Sequence, residues 1–181
     1  FRLNHMHPPF NDVRVRRAVQ MALNQEDYMQ AVVGSDPNLW KTIPSFFTPG
    51  TALYTETGGE PLKARNIEGA TKLLAEAGYK DQPVTCLVAQ DQPALKAMGE
   101  VTADLLKKIG MTVDFVATDW GTVGQRRASK NPPGQGGWSM FHTWHGGADA
   151  ANPAGHIAAR AGGEKGPAWF GWPDDPEVEK G

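Results

Sequence analysis

A strand, a helix and a second strand follow one another between residues 84 and 117, and this succession constrains the fold more than any other feature. Val84–Ala89 is rich in β-forming residues, and Pro93 opens a helix without the loss of a hydrogen bond. Gly110 ends that helix, and Met111–Ala117 alternates apolar and polar side chains as a half-buried strand does. Two strands that are joined by a helical crossover lie parallel in one sheet. The chain is therefore predicted to be an α/β protein.

Further helices and strands are predicted on both sides of this unit. The strands are residues 1–5 and Trp138–Trp144, and the helices are Asp12–Leu23, Gln25–Val33, Asn66–Ala77 and Trp120–Ala128. Residues 35–62 are rich in proline and glycine and are predicted to form one long loop, of the kind that is often functional. We expect a single α/β domain over residues 1–181, with a mixed sheet flanked by helices.

Composition limits the possible classes of function. Of the 181 residues 40% are hydrophobic, which is enough for a buried core. The formal net charge of −2 argues against nucleic acid or an anionic membrane as the main partner, because both select a basic surface. No apolar run approaches the roughly 20 residues of a membrane span. The single cysteine, Cys86, lies in an apolar run and is expected to be a small buried side chain.

The run Pro8–Asn24 combines a clear helix start with an unusual residue pattern. Two prolines favour extended backbone, and Asp12 is a good N-cap for the helix that follows. Helical spacing predicts one apolar stripe, which consists of Val15, Ala18, Val19, Ala22 and Leu23. A solvated helix flank is the expected role of the basic residues, with anion binding as the alternative, and these residues are Arg14, Arg16 and Arg17.

The same run, PPFNDVRVRRAVQMALN, resembles the signature of the extracytoplasmic solute-binding proteins of family 5. These are the peptide-, opine- and nickel-binding components of ABC importers. Five further blocks resemble the family and occur in its order: Pro61–Tyr79, Asp104–Val113, Asp119–Trp120, Trp138–Pro153 and Phe170–Glu177. Together the blocks cover nearly the whole chain, and their shared order makes the resemblance specific.

This resemblance implies a ligand-binding protein rather than an enzyme, and it implies no cofactor. Family members are much longer, with two main lobes and a cleft between them, and the blocks found here belong to the second lobe. The chain is therefore expected to be an isolated second lobe of the periplasmic-binding-protein type II kind, with the first lobe absent and both ends truncated. A peptide or another small polar solute is expected to bind in the cleft for delivery to the membrane permease of an ABC importer. The family also implies a periplasmic or other extracytoplasmic location.

The resemblance places ligand contacts at Trp144, His145 and Asp149. In peptide-binding relatives the corresponding aspartate pairs with the amino terminus of the ligand, and nearby tryptophans form the wall of the pocket. Here the gap between Trp144 and Asp149 is two residues longer, and Asn152 stands where an acid is expected. Asp149 is therefore either an amine-binding carboxylate or the cap of the following turn.

Other aromatic side chains are further candidates for the ligand site. Strand alternation predicts one shared face, a possible cleft wall, for Trp138, Met140, His142 and Trp144. Trp120 belongs to one of the family blocks and is also assigned to the site. Trp40 and Phe46 lie in the long loop, where they either cover a ligand or fill the domain's own core.

Two other functions stay open at this point. A small α/β enzyme could use Asp149 with His142 or His145 as acid and base, which requires a histidine nitrogen within hydrogen-bond reach of the carboxylate. A protein-interaction domain would instead expose an apolar patch. No metal site is predicted, because His142 and His145 would point to opposite faces of a strand and no Cys or Glu completes a set.

Overall fold

The computed structural model describes residues 1–152 and 156–180, and it confirms the α/β fold. Within these ranges one sheet has four strands, β1 (Arg2–Leu3), β2 (Val84–Ala89), β3 (Val113–Thr118) and β4 (Met140–Phe141). Their order is β1-β4-β2-β3, in which β2 is parallel to β3 and β4, and β1 is antiparallel to β4. The sheet is mixed, as predicted, and the unit from residue 84 to residue 118 is the expected crossover.

Helices flank the sheet, and their starts follow local sequence signals. They are α1 (Val13–Ala22), α2 (Gln25–Val33), α3 (Ile67–Glu76), α4 (Pro93–Lys108), α5 (Trp120–Arg126) and α6 (Pro176–Lys180), with 3-10 turns at Glu60–Leu62, Pro133–Gln135 and Ile157–Ala159. Asp12, Asn66 and Asp119 each accept a hydrogen bond from a backbone N–H of the first turn, and the N-cap predicted at Asp12 is thus confirmed. No helix in the described ranges is long and apolar enough to cross a membrane.

Apolar layers cover both faces of β2, which is buried along its whole length as central parallel strands are. On one face, Val84, Cys86 and Val88 pack with the apolar sides of α1, α3 and α4. On the other face, Leu87 and Ala89 contact a second layer. The main side chains of that second layer are Leu95, Val123, Trp138, Phe141 and Trp172. Cys86 is a buried free thiol, as expected.

The predicted strand Trp138–Trp144 is wrong in its extent, because only Met140 and Phe141 form regular strand. The single face predicted from it is wrong as well. Met140 packs in the layer of α1 and α4, whereas Trp138 packs in the opposite layer, where its indole N–H donates to the carbonyl of Arg127 (3.0 Å). Side-chain alternation holds only inside regular strand, and here that strand is two residues long.

Residues 35–59 contain no helix or strand, which confirms the predicted loop except for its last three residues, the 3-10 turn Glu60–Leu62. Two contacts position it. The Gln25 side chain bonds both the N–H and the C=O of Ile43 (2.7 and 2.9 Å), and the Thr48 hydroxyl donates to the carbonyl of Gly147 (2.7 Å). Trp40 is half-buried and Phe46 is exposed, so neither fills the core.

We predict that a larger residue at Gly99 destabilises the protein, because α4 approaches β2 closely at this position. A Cβ at Gly99 would lie 2.5 and 2.7 Å from the two Cγ atoms of Val88. Gly99→Ala should lower the free energy of unfolding by about 1–3 kcal/mol, because overpacking outweighs the better helix propensity of alanine. Urea unfolding followed by circular dichroism measures the change.

The matched control for this prediction is Gly124→Ala in α5, where nothing lies within 4 Å of the added Cβ. It should be neutral or stabilising. Val88→Ala should recover part of the loss in the Gly99→Ala background, because it removes the contacting methyl groups. Equal losses in the two alanine variants would show that the Gly99–Val88 contact is not the cause.

Candidate functional site

The candidate site lies where the parallel strands β2, β3 and β4 end, since ligands of open α/β sheets bind outside the carboxyl ends of their strands. Asp91 follows β2, Trp120 follows β3 and Trp144 follows β4. An Asp91 carboxylate oxygen accepts from the backbone N–H of Trp120 (2.8 Å), which ties the ends of β2 and β3 together. The topology thus brings two of the predicted tryptophans to one edge of the sheet.

Trp120 and Trp144 stack on one another, with ring centres 5.8 Å apart and an interplanar angle of 19°. We call this pair the tryptophan shelf. Trp144 is 57% exposed, although an aromatic side chain of this size is usually well covered. The shelf can therefore offer a flat apolar surface to a second stacking group.

Arg127 contacts the Trp120 ring of the shelf, and it was not among the residues predicted from the sequence. Its guanidinium carbon is 5.3 Å from the ring centre of Trp120, 4.7 Å from that of Phe170 and 5.9 Å from that of Phe141. Burial lowers the pKa of Arg127, and its Nε atom is buried with no hydrogen-bond partner among the described residues. Cation–π contacts of this kind fix the position of Trp120 from the core side.

Asp149 closes a turn next to the shelf. One carboxylate oxygen accepts from the N–H of Gly146 (3.1 Å), and the N–H of Asp149 donates to the carbonyl of Gly146 (3.0 Å). This turn lies between Trp144 and Asp149 and so precedes Asp149, whereas the capping alternative expected Asp149 to cap the turn that follows it. The side chain is exposed at the same time, so a ligand can reach it. Pro153, the last residue of this sequence block, lies outside the described residues.

His145 is exposed and belongs to a row of contacting rings. Its ring centre lies 5.3 Å from that of Trp169 and 5.1 Å from that of His156, which in turn lies 4.5 Å from that of Phe46. Burial, and then the charge of His145, lower the pKa of His156. Sequence reasoning assigned no role to His156 or Trp169, because the segment after Asp149 has no periodic pattern. Phe46 thus reaches the site through His156.

His142 lies apart from the shelf, in the core. It is 2% exposed, and its Nε2 atom lies 2.9 Å from the Thr102 hydroxyl, which lies 2.7 Å from the Tyr28 hydroxyl. Its Nδ1 atom has no partner in the described part of the chain, and burial lowers the pKa of His142 well below its ordinary value. Trp40 is also separate, since its indole N–H donates to the carbonyl of Gly34 (3.1 Å) at the end of α2.

The geometry that the enzyme alternative requires is absent from residues 1–152 and 156–180. No hydrogen bond or ion pair there joins Asp149 to His142 or His145. The same ranges hold no group of three or more His, Cys, Asp or Glu side chains placed to bind a metal. The site offers stacking surfaces and the exposed carboxylate of Asp149.

A family comparison decides the class of protein. The model of the family "Bacterial extracellular solute-binding proteins, family 5 Middle" matches residues 1–162. The chain belongs to this family. The family is described as one of solute-binding proteins.

Two curated family 5 proteins are similar in sequence to this chain. The protein named "Probable peptide ABC transporter periplasmic-binding protein y4tO" of Sinorhizobium fredii is 32% identical, over 98% of this chain and 33% of that protein. The periplasmic oligopeptide-binding protein OppA of Escherichia coli is 36% identical, over 67% of this chain and 23% of that protein. The chain thus spans about a third or less of the length of these relatives.

Solved structures show the same fold. The ABC transporter substrate-binding protein CtaP of Listeria monocytogenes superposes with a TM-score of 0.77, over 99% of this chain and 35% of that protein, at 19% identity. The family 5 fold therefore accounts for the mixed sheet and its flanking helices.

The burial of His142 predicts a loss of stability in acid. Folding lowers the pKa of His142, whereas in the unfolded chain a histidine has a pKa of about 6.5. As the pH falls, the unfolded chain therefore binds a proton at this residue before the folded protein does. The free energy of unfolding should therefore fall as the pH decreases below about 6.5. His142→Gln should reduce this dependence by at most one proton, or about 1.4 kcal/mol per pH unit, below pH of about 6.

Urea unfolding at a series of pH values tests this prediction. His7→Gln is the matched control, because His7 lies at the surface and bonds only the carbonyl of Lys130 in the described contacts. The control should keep the dependence of the unchanged protein. If His142→Gln also keeps it, the neutral buried histidine is not the source of the acid sensitivity.

Proposed function

We propose that this chain is one lobe of a two-lobed extracytoplasmic solute-binding protein of an ABC importer. A peptide or another small polar solute binds between this lobe and a second lobe, which closes over it by hinge motion. Membership of family 5 and the names of the y4tO and OppA relatives support this role. The partners on this proposal are the solute and the permease subunits of the importer, and the location is the periplasm or its equivalent.

The main structural support for this proposal is the tryptophan shelf. Trp144 is 57% exposed at the carboxyl edge of the parallel strands, where α/β sheets bind their ligands. A peptide backbone or an apolar side chain that stacks there buries aromatic surface, and each such contact contributes about 0.5–1.5 kcal/mol beyond the buried area. A single lobe offers only one side of the ligand such contacts, so its affinity should be weak.

Asp149 supplies the charge preference of the site. Its exposed carboxylate would attract the ammonium group of a ligand only modestly, because water screens the pair. Closure of a second lobe would remove that water and strengthen the attraction. The turn hydrogen bond from Gly146 holds the carboxylate in place in both states, so closing this turn and binding an amine are compatible roles.

We predict that tri-alanine at millimolar concentration shifts the indole N–H resonances of Trp120 and Trp144 in ¹H–¹⁵N spectra of this chain. Trp138 serves as an internal control, because its indole N–H is buried and bonded to the carbonyl of Arg127. Trp144→Ala should abolish the Trp120 shift with little loss of stability, since Trp144 is mostly exposed. Shifts confined to Trp40, or none at any concentration, would contradict a ligand site at the shelf.

N-acetyl-tri-alanine tests the role of Asp149, because it differs from tri-alanine at the amino terminus. Asp149→Asn should weaken tri-alanine binding by about two- to fivefold and leave binding of the acetylated peptide unchanged. Asp81→Asn is the matched control, since Asp81 is exposed before β2 at the opposite end of the strand, and asparagine tolerates its φ of 56°. Equal effects of the two variants would assign the loss to general surface charge.

A further inference from the structure

A cavity of about 710 Å³ lies between the start of the chain, α1, the loop at Phe46 and Phe47, and residues 158–179. None of the residues of the tryptophan shelf lines it, nor does Asp149. Four basic side chains do: Arg2, His5, Arg16 and Arg160. Their surroundings distinguish this cavity from a surface groove with scattered charges.

Arg2 is a half-buried cation that forms no ion pair with the residues that the structure describes. Its Nε atom donates to the carbonyl of Phe170 and one terminal nitrogen donates to the carbonyl of Ala158 (3.1 Å). The other terminal nitrogen, Nη2, is buried and has no hydrogen-bond partner among the described residues. Burial lowers the pKa of Arg2 to about 10. A guanidinium in this state lacks the carboxylate partner that would normally offset its desolvation.

Arg16 adds a second positive charge to the same cavity, next to His5, whose lowered pKa leaves its ring neutral near pH 7. Arg16 donates to the carbonyls of Phe10 (2.7 Å) and Asn11 (3.2 Å), and no acidic side chain in the described ranges pairs with it. Burial, and then the charges of Arg16 and Arg2, lower the pKa of His5 to about 4. Both arginines are thus close enough to His5 for their charges to lower the pKa of its imidazole ring.

Three acidic residues form another part of the cavity wall, and two of them have other partners. Glu179 pairs with Arg160 (2.9 Å) and accepts from the N–H of Ala161 (2.6 Å). Asp175 accepts from backbone N–H groups at the start of α6. Asp174, the third, forms no ion pair with Arg2 or Arg16 in the described contacts. This wall would repel a second negative charge, so the cavity favours a monoanion.

An apolar surface completes the cavity. Phe46 and Phe47 line it and contact one another edge to face, with ring centres 5.4 Å apart. Phe46 is 52% exposed, and an aromatic ligand could cover it.

From this arrangement we propose that the cavity binds a small monocarboxylate with an aromatic or apolar body. The carboxylate accepts hydrogen bonds from the guanidinium groups of Arg2 and Arg16, and the body packs against Phe46 and Phe47. Carboxylates suit this role because their two oxygens match the fork of a guanidinium. The site is separate from the tryptophan shelf and does not require a ligand there.

Benzoate and benzamide test this proposal, since they share a ring and differ in charge. Benzoate should shift the ring resonances of His5 and Phe46 in NMR spectra of the chain, and it should raise the pKa of His5 because a bound anion favours the imidazolium. Benzamide should bind at least about tenfold more weakly, the usual difference for a charged hydrogen bond. Equal binding of both compounds would show an apolar pocket without an anion site and would overturn the proposal.

Arg16→Gln should weaken benzoate binding about tenfold and leave benzamide binding unchanged. Arg17→Gln is the matched control, since Arg17 is the next residue on α1 and does not line this cavity. Arg2→Lys keeps the charge but loses the fork, and it should weaken benzoate binding less than Arg2→Gln does. Thermal unfolding verifies that each variant folds. Equal losses in the Arg16 and Arg17 variants, or an unchanged His5 pKa at saturating benzoate, would overturn the site.

Discussion

The burial of β2 on both faces is the constraint on which the rest of the structure depends. β2 lies between β3 and β4, and its register sets Cys86 opposite both Phe115 and Met140. Because all three strands run in one direction, this register also determines where each of them ends. Asp91, Trp120 and Trp144 meet at one edge for that reason, and the site is a consequence of the packing of the core.

Much of the fold could be predicted because its signals are local. Asp12 and Asn66 cap helices through bonds to residues two and three positions away, and Gly110 ends α4 with a φ of 88°. The crossover that fixes parallel pairing also lies within one continuous segment, residues 84–118. Trp120 and Trp144 could be assigned to a common site from their sequence blocks, and the structure stacks them at 5.8 Å.

The rest of the site depends on contacts between distant segments, which no local pattern reports. His142 is in the core because Thr102 of α4, 40 residues earlier, offers a hydroxyl 2.9 Å from its ring. Trp138 packs in the layer opposite to that of Met140, where its indole N–H donates a hydrogen bond to the carbonyl of Arg127. Sequence periodicity could not show that the ladder of β4 stops after two residues, so the predicted aromatic face was too wide.

The tryptophan shelf is ordered by contacts that need no ligand, and this bears on how binding energy is used. Asp91 holds the backbone of Trp120. Immobilising a flexible side chain on binding costs about 0.5–1.5 kcal/mol. Trp120 is already ordered in the folded protein, so binding does not incur this cost for it. In the described part of the chain the Trp144 ring contacts only the ring of Trp120, and Trp144 is 57% exposed, so it keeps more freedom. One tryptophan therefore acts as a fixed floor, while the other can adjust to the shape of the ligand.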